Sequence, residues 1–156
     1  MSKLGKNDKA PKFDLPSDSG ENLTLSDFAG QPLVLYFYPK DNTPGCTREA
    51  QAFTKLVGAF KKAGAAVVGV SKDSVASHCG FRDKLKLKIP LLSDPDLAVH
   101  KAYGAWGEKT LYGKKTTGVI RSTFLIDGKG RIQRAWSNVK VDGHAEAVLA
   151  ELTGKA

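Results

Sequence analysis

The side chain in this sequence best suited to covalent chemistry is the thiol of Cys46, one of only two cysteines. It follows the turn sequence PKDNTPG at positions 39–45 and opens a predicted helix. Free N–H groups at a helix start, and the positive end of its dipole, both favour a thiolate over a thiol. We therefore interpret Cys46 as a reactive cysteine. The alternative is a small, inert residue that fills space, as buried cysteines often do.

The segments on either side of Cys46 predict how it is positioned. Residues 32–38 form a continuous apolar and aromatic run, typical of a strand covered on both faces, and residues 65–70 form a second such run. Between them, residues 47–63 carry apolar side chains at helical spacing. A strand, a helix and a strand in this order predict a right-handed crossover between parallel strands. Sites in such sheets form beyond the carboxyl ends of the strands, where Cys46 falls.

The rest of the chain completes a predicted α/β fold with a central mixed sheet and helices on both faces. We predict a hairpin formed by residues 122–126 and 132–136 around Asp127–Arg131, and a last helix that begins at Asp142 and ends before Gly154. Further predicted elements are helices over 74–86 and 97–103 and a strand over 89–92. Residues 1–156 are interpreted as one domain, with residues 1–12 as a loosely held basic tail.

Composition excludes several classes of protein. Hydrophobic residues at 41% and charged residues at 26% argue against a disordered chain, and no apolar run approaches the roughly 18 residues of a spanning helix. The N-terminus lacks the apolar core of a signal peptide, so we expect a cytoplasmic protein without a membrane partner.

The net charge of +8 favours contact with anions in general. A basic stretch over residues 82–88 alternates with apolar residues, and we interpret it as a solvated face rather than a nucleic-acid stripe. A basic nucleic-acid-binding protein without catalysis is kept as an alternative from another class.

Several strings carry a resemblance to one family. Pro39, Thr43 and Cys46 match the Pro-x-x-x-Thr-x-x-Cys signature of the peroxiredoxins. The sequence also resembles their bacterioferritin-comigratory-protein (Q-type) branch at YFYPKD (36–41), GVSKDS (69–74), SH (77–78), PLLSD (90–94), YGK (112–114) and RSTFLID (121–127). The resemblance implies a thioredoxin-like fold and an antioxidant thiol peroxidase for hydrogen peroxide and organic hydroperoxides. It also implies recycling by thioredoxin or another thiol reductant, and we expect a monomer or weak dimer. The sequence has no clustered ligands at metal spacing and no Gly-rich phosphate loop, so we expect no cofactor and no metal.

The resemblance also implies roles for five residues. Cys46 is the expected nucleophile, the Thr43 hydroxyl is expected to bind the peroxide, and Pro39, which has no N–H, is expected to shield the sulfur from water. Arg121 is expected to stabilise the leaving oxygen, and Glu49, one helical turn after Cys46, to hold Arg121. Simpler roles stay open: Thr43 as a helix cap, Pro39 as the end of a strand, Arg121 as a surface residue and Glu49 as a partner of the helix dipole.

The sequence departs from its relatives in the cysteine that would resolve an oxidised Cys46. Q-type peroxiredoxins often carry that cysteine at positions equivalent to Gln51 or Arg82. Here the only other thiol is Cys79, one turn before Arg82 on the predicted helix. Two possibilities stay open: Cys79 resolves after local unwinding, or an external thiol does.

Two other enzyme classes compete with the peroxidase. A thioredoxin-type exchanger needs Cys-x-x-Cys at this turn, and Thr43 stands where the first of those cysteines would be. A Cys–His hydrolase would pair Cys46 with His78, His100 or His144, none of which lies in a nucleophile motif.

Overall fold

A computed structural model describes residues 4–111 and 113–154, and Tyr112, from one of the matched strings, lies outside them. In chain order the strands are β1 (Asp14–Pro16), β2 (Asn22–Thr24), β3 (Leu33–Phe37), β4 (Ala66–Ser71), β5 (Leu91–Ser93), β6 (Trp106–Leu111), β7 (Lys114–Val119), β8 (Ser122–Ile126) and β9 (Ile132–Trp136). The helices are α1 (Pro44–Lys62), α2 (Val75–Leu85), α3 (Ala98–Ala102) and α4 (His144–Thr153), and a 3-10 turn covers Leu25–Phe28.

The central sheet has the strand order β5-β4-β3-β8-β9. All five residues of β3 are buried, as the unbroken apolar run predicted. β3 runs parallel to β4 across the α1 crossover and antiparallel to β8, and β8 forms the predicted hairpin with β9. The predicted mixed sheet is therefore confirmed.

Helices cover both faces of this sheet, also as predicted. On one face Val34 and Tyr36 of β3 pack in a core formed with side chains of α1, α2 and α4, namely Ala50, Phe53, Phe60, Phe81, Ala145 and Val148. The alternate β3 residues, Leu33, Leu35 and Phe37, contribute to a second core on the other face. Val99 of α3 and side chains of the N-terminal segment complete that core.

Helix α1 starts three residues before the periodic apolar segment that predicted it. Thr43 occupies the N-cap position with extended backbone angles, and Pro44 is the first helical residue, where a missing N–H costs no hydrogen bond. The helix ends at Lys62, and Gly64 follows with a φ of 81°, a left-handed conformation that suits glycine. Cys46 consequently lies within the first turn of α1.

Two hairpins and the N-terminal segment differ from expectation. The sequence did not predict β1–β2 or β6–β7, because their short or largely exposed strands lack a clear apolar alternation. Residues 7–10, expected in a loose tail, instead hydrogen-bond to residues 130–132, and Ala10 is buried. Residues 1–3 lie outside the described part of the chain. Among the described residues, no helix is long and apolar enough to cross a membrane.

Candidate active site

The sulfur of Cys46 is held in the first turn of α1, beyond the carboxyl end of β3. The residue is only 1% exposed. The residues around this turn, Pro39, Thr43 and Gly45, are half-buried, so the site lies at the protein surface although its thiol is covered. Burial of this kind keeps bulk water away from the sulfur.

Arg121 reaches this sulfur from a distant part of the sequence. It immediately precedes β8, whose first residue, Ser122, pairs with Phe37 at the end of β3. This antiparallel register brings Arg121 beside the turn over residues 39–45, which we call the catalytic turn because it leads into the predicted nucleophile. The Nη2 of Arg121 lies 3.4 Å from the Cys46 Sγ. A Cβ atom at Gly45 would stand 3.2 Å from the same Nη2, so the glycine allows the guanidinium its close approach.

Glu49 holds the other side of the Arg121 guanidinium. Arg121 Nη1 donates to Glu49 Oε1 at 2.6 Å, and Glu49 is 1% exposed. The predicted contact of Glu49 with Arg121 is thus present. Burial raises the pKa of Glu49 from its usual 4.5 to about 7, although the charge of Arg121 acts in the opposite direction.

The positive charge at the site is fixed on Arg121. Burial by itself lowers the pKa of Arg121, but the neighbouring Glu49 and Cys46 outweigh it, so the pKa is raised and the guanidinium stays charged. Burial, and after it Arg121, lowers the pKa of the nearby His144 to about 4. His144 is therefore neutral at neutral pH, and it shares a 2.8 Å hydrogen bond with the Thr123 hydroxyl.

Thr43 and Pro39 lie in the same turn as Cys46 without a polar contact to its sulfur. The Thr43 hydroxyl donates to the Lys40 carbonyl at 2.8 Å and makes no side-chain cap to α1. Thr43 is thus the N-cap residue by backbone geometry alone. Pro39 follows β3 by two residues, where the chain leaves the sheet for the turn.

Cys79 is not brought to Cys46. It lies in α2, where it is half-buried, and its Sγ lies 3.1 Å from the Asp18 carbonyl, to which the thiol donates. Arg82, on the next turn, donates to the same carbonyl and to the Asp18 carboxylate, each at 3.0 Å. Both cysteines are free.

Other residues near Cys46 were not predicted to take part in the site. Asp41 and His78 stood in strings quoted for the resemblance, and Gly45 in the turn before Cys46, but nothing in their spacing indicated which side chain each would meet. No group of three or more metal-ligating side chains that could hold an ion occurs within residues 4–111 and 113–154.

The sequence pattern of the AhpC/TSA family matches residues 7–135, which is most of the chain and includes Pro39, Thr43, Cys46, Glu49 and Arg121. The chain belongs to this family. Its resemblance to the bacterioferritin-comigratory branch, inferred from the short strings, is confirmed by relatives of that branch.

Two curated relatives illustrate the match. A protein of Coxiella burnetii named putative peroxiredoxin bcp is 50% identical over 144 residues, which cover 92% of this chain and 95% of the relative. Peroxiredoxin Bcp of Xanthomonas campestris is 50% identical over 149 residues, which cover 94% and 93%. The protein is accordingly a thiol peroxidase of the peroxiredoxin class, which reduces hydroperoxides with electrons from a thiol.

Solved structures show the same fold. A cysteine-to-serine variant of Xylella fastidiosa PrxQ is 44% identical and superposes with a TM-score of 0.92 over 99% of this chain and 98% of that one. Bacterioferritin comigratory protein of X. campestris, studied for its alkyl peroxide reduction activity, is 48% identical, with a TM-score of 0.86 over 91% and 90%. The thioredoxin-like peroxiredoxin fold expected from the sequence is confirmed.

Proposed function

We propose that Cys46 is the nucleophile of this peroxidase. The observation that carries the proposal is the 3.4 Å contact between Arg121 Nη2 and the Cys46 Sγ in the first turn of a helix. The Cys46 thiolate attacks one peroxide oxygen, a sulfur–oxygen bond forms and the oxygen–oxygen bond breaks. Sulfur is oxidised to the sulfenic acid, and the leaving oxygen takes a proton to become water or an alcohol.

Arg121 stabilises the charges of this step. In the reduced enzyme its guanidinium faces the thiolate, and during the displacement the same group faces the oxygen that leaves with a negative charge. Glu49 orients the guanidinium through Nη1, so that Nη2 stays directed at the sulfur. Because the charge is fixed before the substrate arrives, no reorganisation is needed at the moment of reaction.

Thr43 and Pro39 form the entrance for the substrate. The Thr43 hydroxyl, half-buried and three residues before Cys46, is placed to exchange its bond with Lys40 for one with a peroxide oxygen. Pro39 presents no N–H that would attract water to the sulfur. We assign hydrogen peroxide and organic hydroperoxides as substrates, supported by the alkyl peroxide reduction of the X. campestris relative.

Cys79 resolves the oxidised enzyme in our proposal. Its sulfur attacks the Cys46 sulfenic acid, a disulfide forms and the sulfenic oxygen leaves as water. Two observations support it: Cys79 is the only other cysteine of the chain, and its thiol is half-buried rather than enclosed in a core. The two sulfurs have separate partners in the reduced enzyme, so the first turns of α2 must unwind for them to meet.

A dithiol reductant such as thioredoxin completes the cycle by reducing the disulfide between Cys46 and Cys79 through thiol–disulfide exchange. We propose the cytoplasm as the site of action, because a reducing compartment supplies the dithiol reductant that this cycle needs.

A single-turnover experiment tests the nucleophile. Reduced protein is mixed with one equivalent of hydrogen peroxide, and the loss of peroxide is followed for the wild type, Cys46→Ser and Cys79→Ser. We expect the Cys46→Ser rate to fall by about 10⁴-fold or more, since the nucleophile is gone, and the Cys79→Ser rate to stay within about twofold. Peroxide consumption by Cys46→Ser at the wild-type rate would overturn the proposal.

A further inference from the structure

A buried ion pair joins the catalytic turn to helix α2. The carboxylate of Asp41, in the turn between β3 and α1, lies 2.7 Å from the Nδ1 of His78 in α2. The side chains are 1% and 0% exposed, respectively. Neither residue takes part in a step of the peroxidase mechanism proposed above.

Hydrogen-bond geometry determines the proton content of this pair. The other ring nitrogen of His78, Nε2, lies 2.8 Å from the Leu92 carbonyl, which can only accept a hydrogen bond. Nε2 therefore carries a proton. A second proton lies between Nδ1 and the Asp41 carboxylate, because two lone pairs would repel each other at 2.7 Å. When Nδ1 holds this proton, His78 is an imidazolium with both donors satisfied, a state that a buried histidine reaches only beside an anion.

Asp41 is equally well satisfied. Its carboxylate accepts from Tyr38 at 2.7 Å and from Ser77 at 2.8 Å as well as from His78, and its backbone N–H donates to Asp73 at 2.8 Å. Burial raises the pKa of Asp41, but its bonds to His78 and Tyr38 lower the pKa by more. Burial lowers the pKa of His78, and Asp41 more than reverses that. The lowered pKa of Asp41 and the raised pKa of His78 both favour the charged form of the pair.

The turn that Asp41 anchors is otherwise weakly held. It contains Pro39 and Thr43, and its side-chain bond within the turn is the one from Thr43 to the exposed Lys40. Asn42 adopts a left-handed φ of 65°, which is uncommon for a residue with a side chain. A turn of this kind needs an external attachment to keep one conformation, and Asp41 supplies it through Tyr38, which follows β3, through α2 and through the loop after β4.

We propose that the Asp41–His78 pair is a positioning element of the peroxidase site, which holds the turn over residues 39–43 so that Thr43 and Pro39 face the Cys46 sulfur. This inference rests on the proposed function of Cys46. The pair does not touch the sulfur, and it acts through the turn. The residue after His78 is Cys79, so the same pair also holds the part of α2 that must unwind before the two cysteines can meet.

A second buried pair in the chain provides a matched control. His100 Nδ1 lies 2.6 Å from Asp94 Oδ2, and the two side chains are 0% and 1% exposed. Asp94 also accepts from the backbone N–H of His100, so this pair is largely local to the start of α3. The ring of His100 packs edge-on against Phe37, in the core opposite to α1. It has the same contact between Nδ1 and a carboxylate, but among the described residues its Nε2 has no hydrogen-bond partner, and it does not contact the turn over residues 39–43.

The test compares two reagents on the same thiol. The rate of Cys46 oxidation by hydrogen peroxide and the rate of its alkylation by iodoacetamide are measured for the wild type, His78→Asn, Asp41→Asn and His100→Asn. A displaced turn misplaces the groups that orient a peroxide, so we expect peroxide oxidation to slow about tenfold or more in the first two variants. Alkylation needs no such orientation, so its rate should change by less than about threefold in His78→Asn and Asp41→Asn. The control variant His100→Asn should change neither the peroxide rate nor the alkylation rate.

Two structural measurements accompany the rates. Amide hydrogen exchange of residues 39–43 should be faster in His78→Asn and Asp41→Asn and unchanged in His100→Asn. In the reduced wild type at pH 7, the ¹⁵N shifts of His78 should show both ring nitrogens protonated. If His78→Asn does not fold, the rates of peroxide oxidation and alkylation in Asp41→Asn test the positioning role.

The outcomes are distinguishable. A folded His78→Asn with an unchanged peroxide rate, an equal loss with both reagents, or a neutral His78 ring would each overturn the positioning role. A wild-type protein in which peroxide does not oxidise Cys46 would instead remove the proposed function, and the inference with it.

Discussion

The two cysteines occupy similar positions in their helices, but different groups contact their sulfur atoms. Each lies in the N-terminal half of a helix with an arginine nearby. At Cys46 the guanidinium of Arg121 donates to the sulfur itself, whereas at Cys79 the guanidinium of Arg82 donates to Asp18. The Cys79 thiol donates to the Asp18 carbonyl. A thiolate at this position has no proton to donate, so its negative charge would face a lone pair of the carbonyl oxygen.

An arginine close to a cysteine therefore does not always contact its sulfur. The contact depends on whether an N–H of the guanidinium is directed at the sulfur. Arg121 keeps Nη2 for Cys46 because Glu49 engages only Nη1. Arg82 is engaged by Asp18 and Asp83, so its charge is shared between two carboxylates. Arginine therefore contacts a sulfur at one helix and two carboxylates at the other.

The largest effect should come from removing the arginine that faces Cys46. Arg121→Ala should lower the rate of Cys46 oxidation by about 10²- to 10³-fold, because it removes the charge that stabilises the leaving oxygen. Arg82→Ala is the matched control and should leave that rate unchanged. Stopped-flow mixing with peroxide measures both. Equal rates for Arg121→Ala and the wild type would remove Arg121 from the site.

The next effect concerns what Cys79 does after oxidation. Cys79→Ser should keep the first oxidation rate and lose most of the thioredoxin-coupled turnover, because no disulfide can form for thioredoxin to reduce. Mass spectrometry after one equivalent of peroxide should show the wild type lighter by about two hydrogens, with a crosslinked peptide joining residues 46 and 79. A lasting sulfenic acid on Cys46, with Cys79 still open to alkylation, would assign resolution to an external thiol.

A smaller effect should follow from crowding the guanidinium. In Gly45→Ala the new Cβ would stand 3.2 Å from Arg121 Nη2, so the arginine must shift by a few tenths of an ångström. We expect the oxidation rate to fall about threefold to tenfold. Gly58→Ala, in the same helix with open space around its Cβ, should leave the rate unchanged. A Gly45→Ala rate equal to that of the control would show that the Arg121 position tolerates such a shift.

The smallest effect should appear in the pH dependence of stability. The Glu49 pKa is raised in the folded protein from 4.5 to about 7, so the folded state binds that proton more tightly than the unfolded state. Its contribution to the free energy of unfolding is therefore greatest below pH 4.5 and is lost as the pH rises to about 7. In Glu49→Gln the free energy of unfolding should therefore fall less steeply with rising pH in this range. The difference in slope from the wild type should be up to about 1 kcal/mol per pH unit.

Urea unfolding at several pH values measures this slope. Identical slopes for Glu49→Gln and the wild type would show that Glu49 is ionised throughout this range. The amide keeps an oxygen for Arg121 Nη1, so the oxidation rate should stay within about tenfold of the wild type.

The sequence by itself determined the central sheet and predicted that Cys46, next to it, is the nucleophile. The unbroken apolar runs indicated β3 and β4, the turn residues 127–131 indicated the β8–β9 hairpin, and helical spacing indicated α1. These signals are local, because periodicity and turn chemistry act over a few neighbouring residues. The polar β6–β7 hairpin gave no such signal, and it was missed.

Only the tertiary structure decided which side chains meet. Arg121 is 75 residues from Cys46, and it reaches the sulfur because β8 pairs with β3 in one particular register. His78 is 37 residues from Asp41, and its contact depends on how α2 packs over β5. Burial then sets the ionisation of Glu49 and His144, since the desolvation of a charge depends on all of its neighbours rather than on its position in the chain.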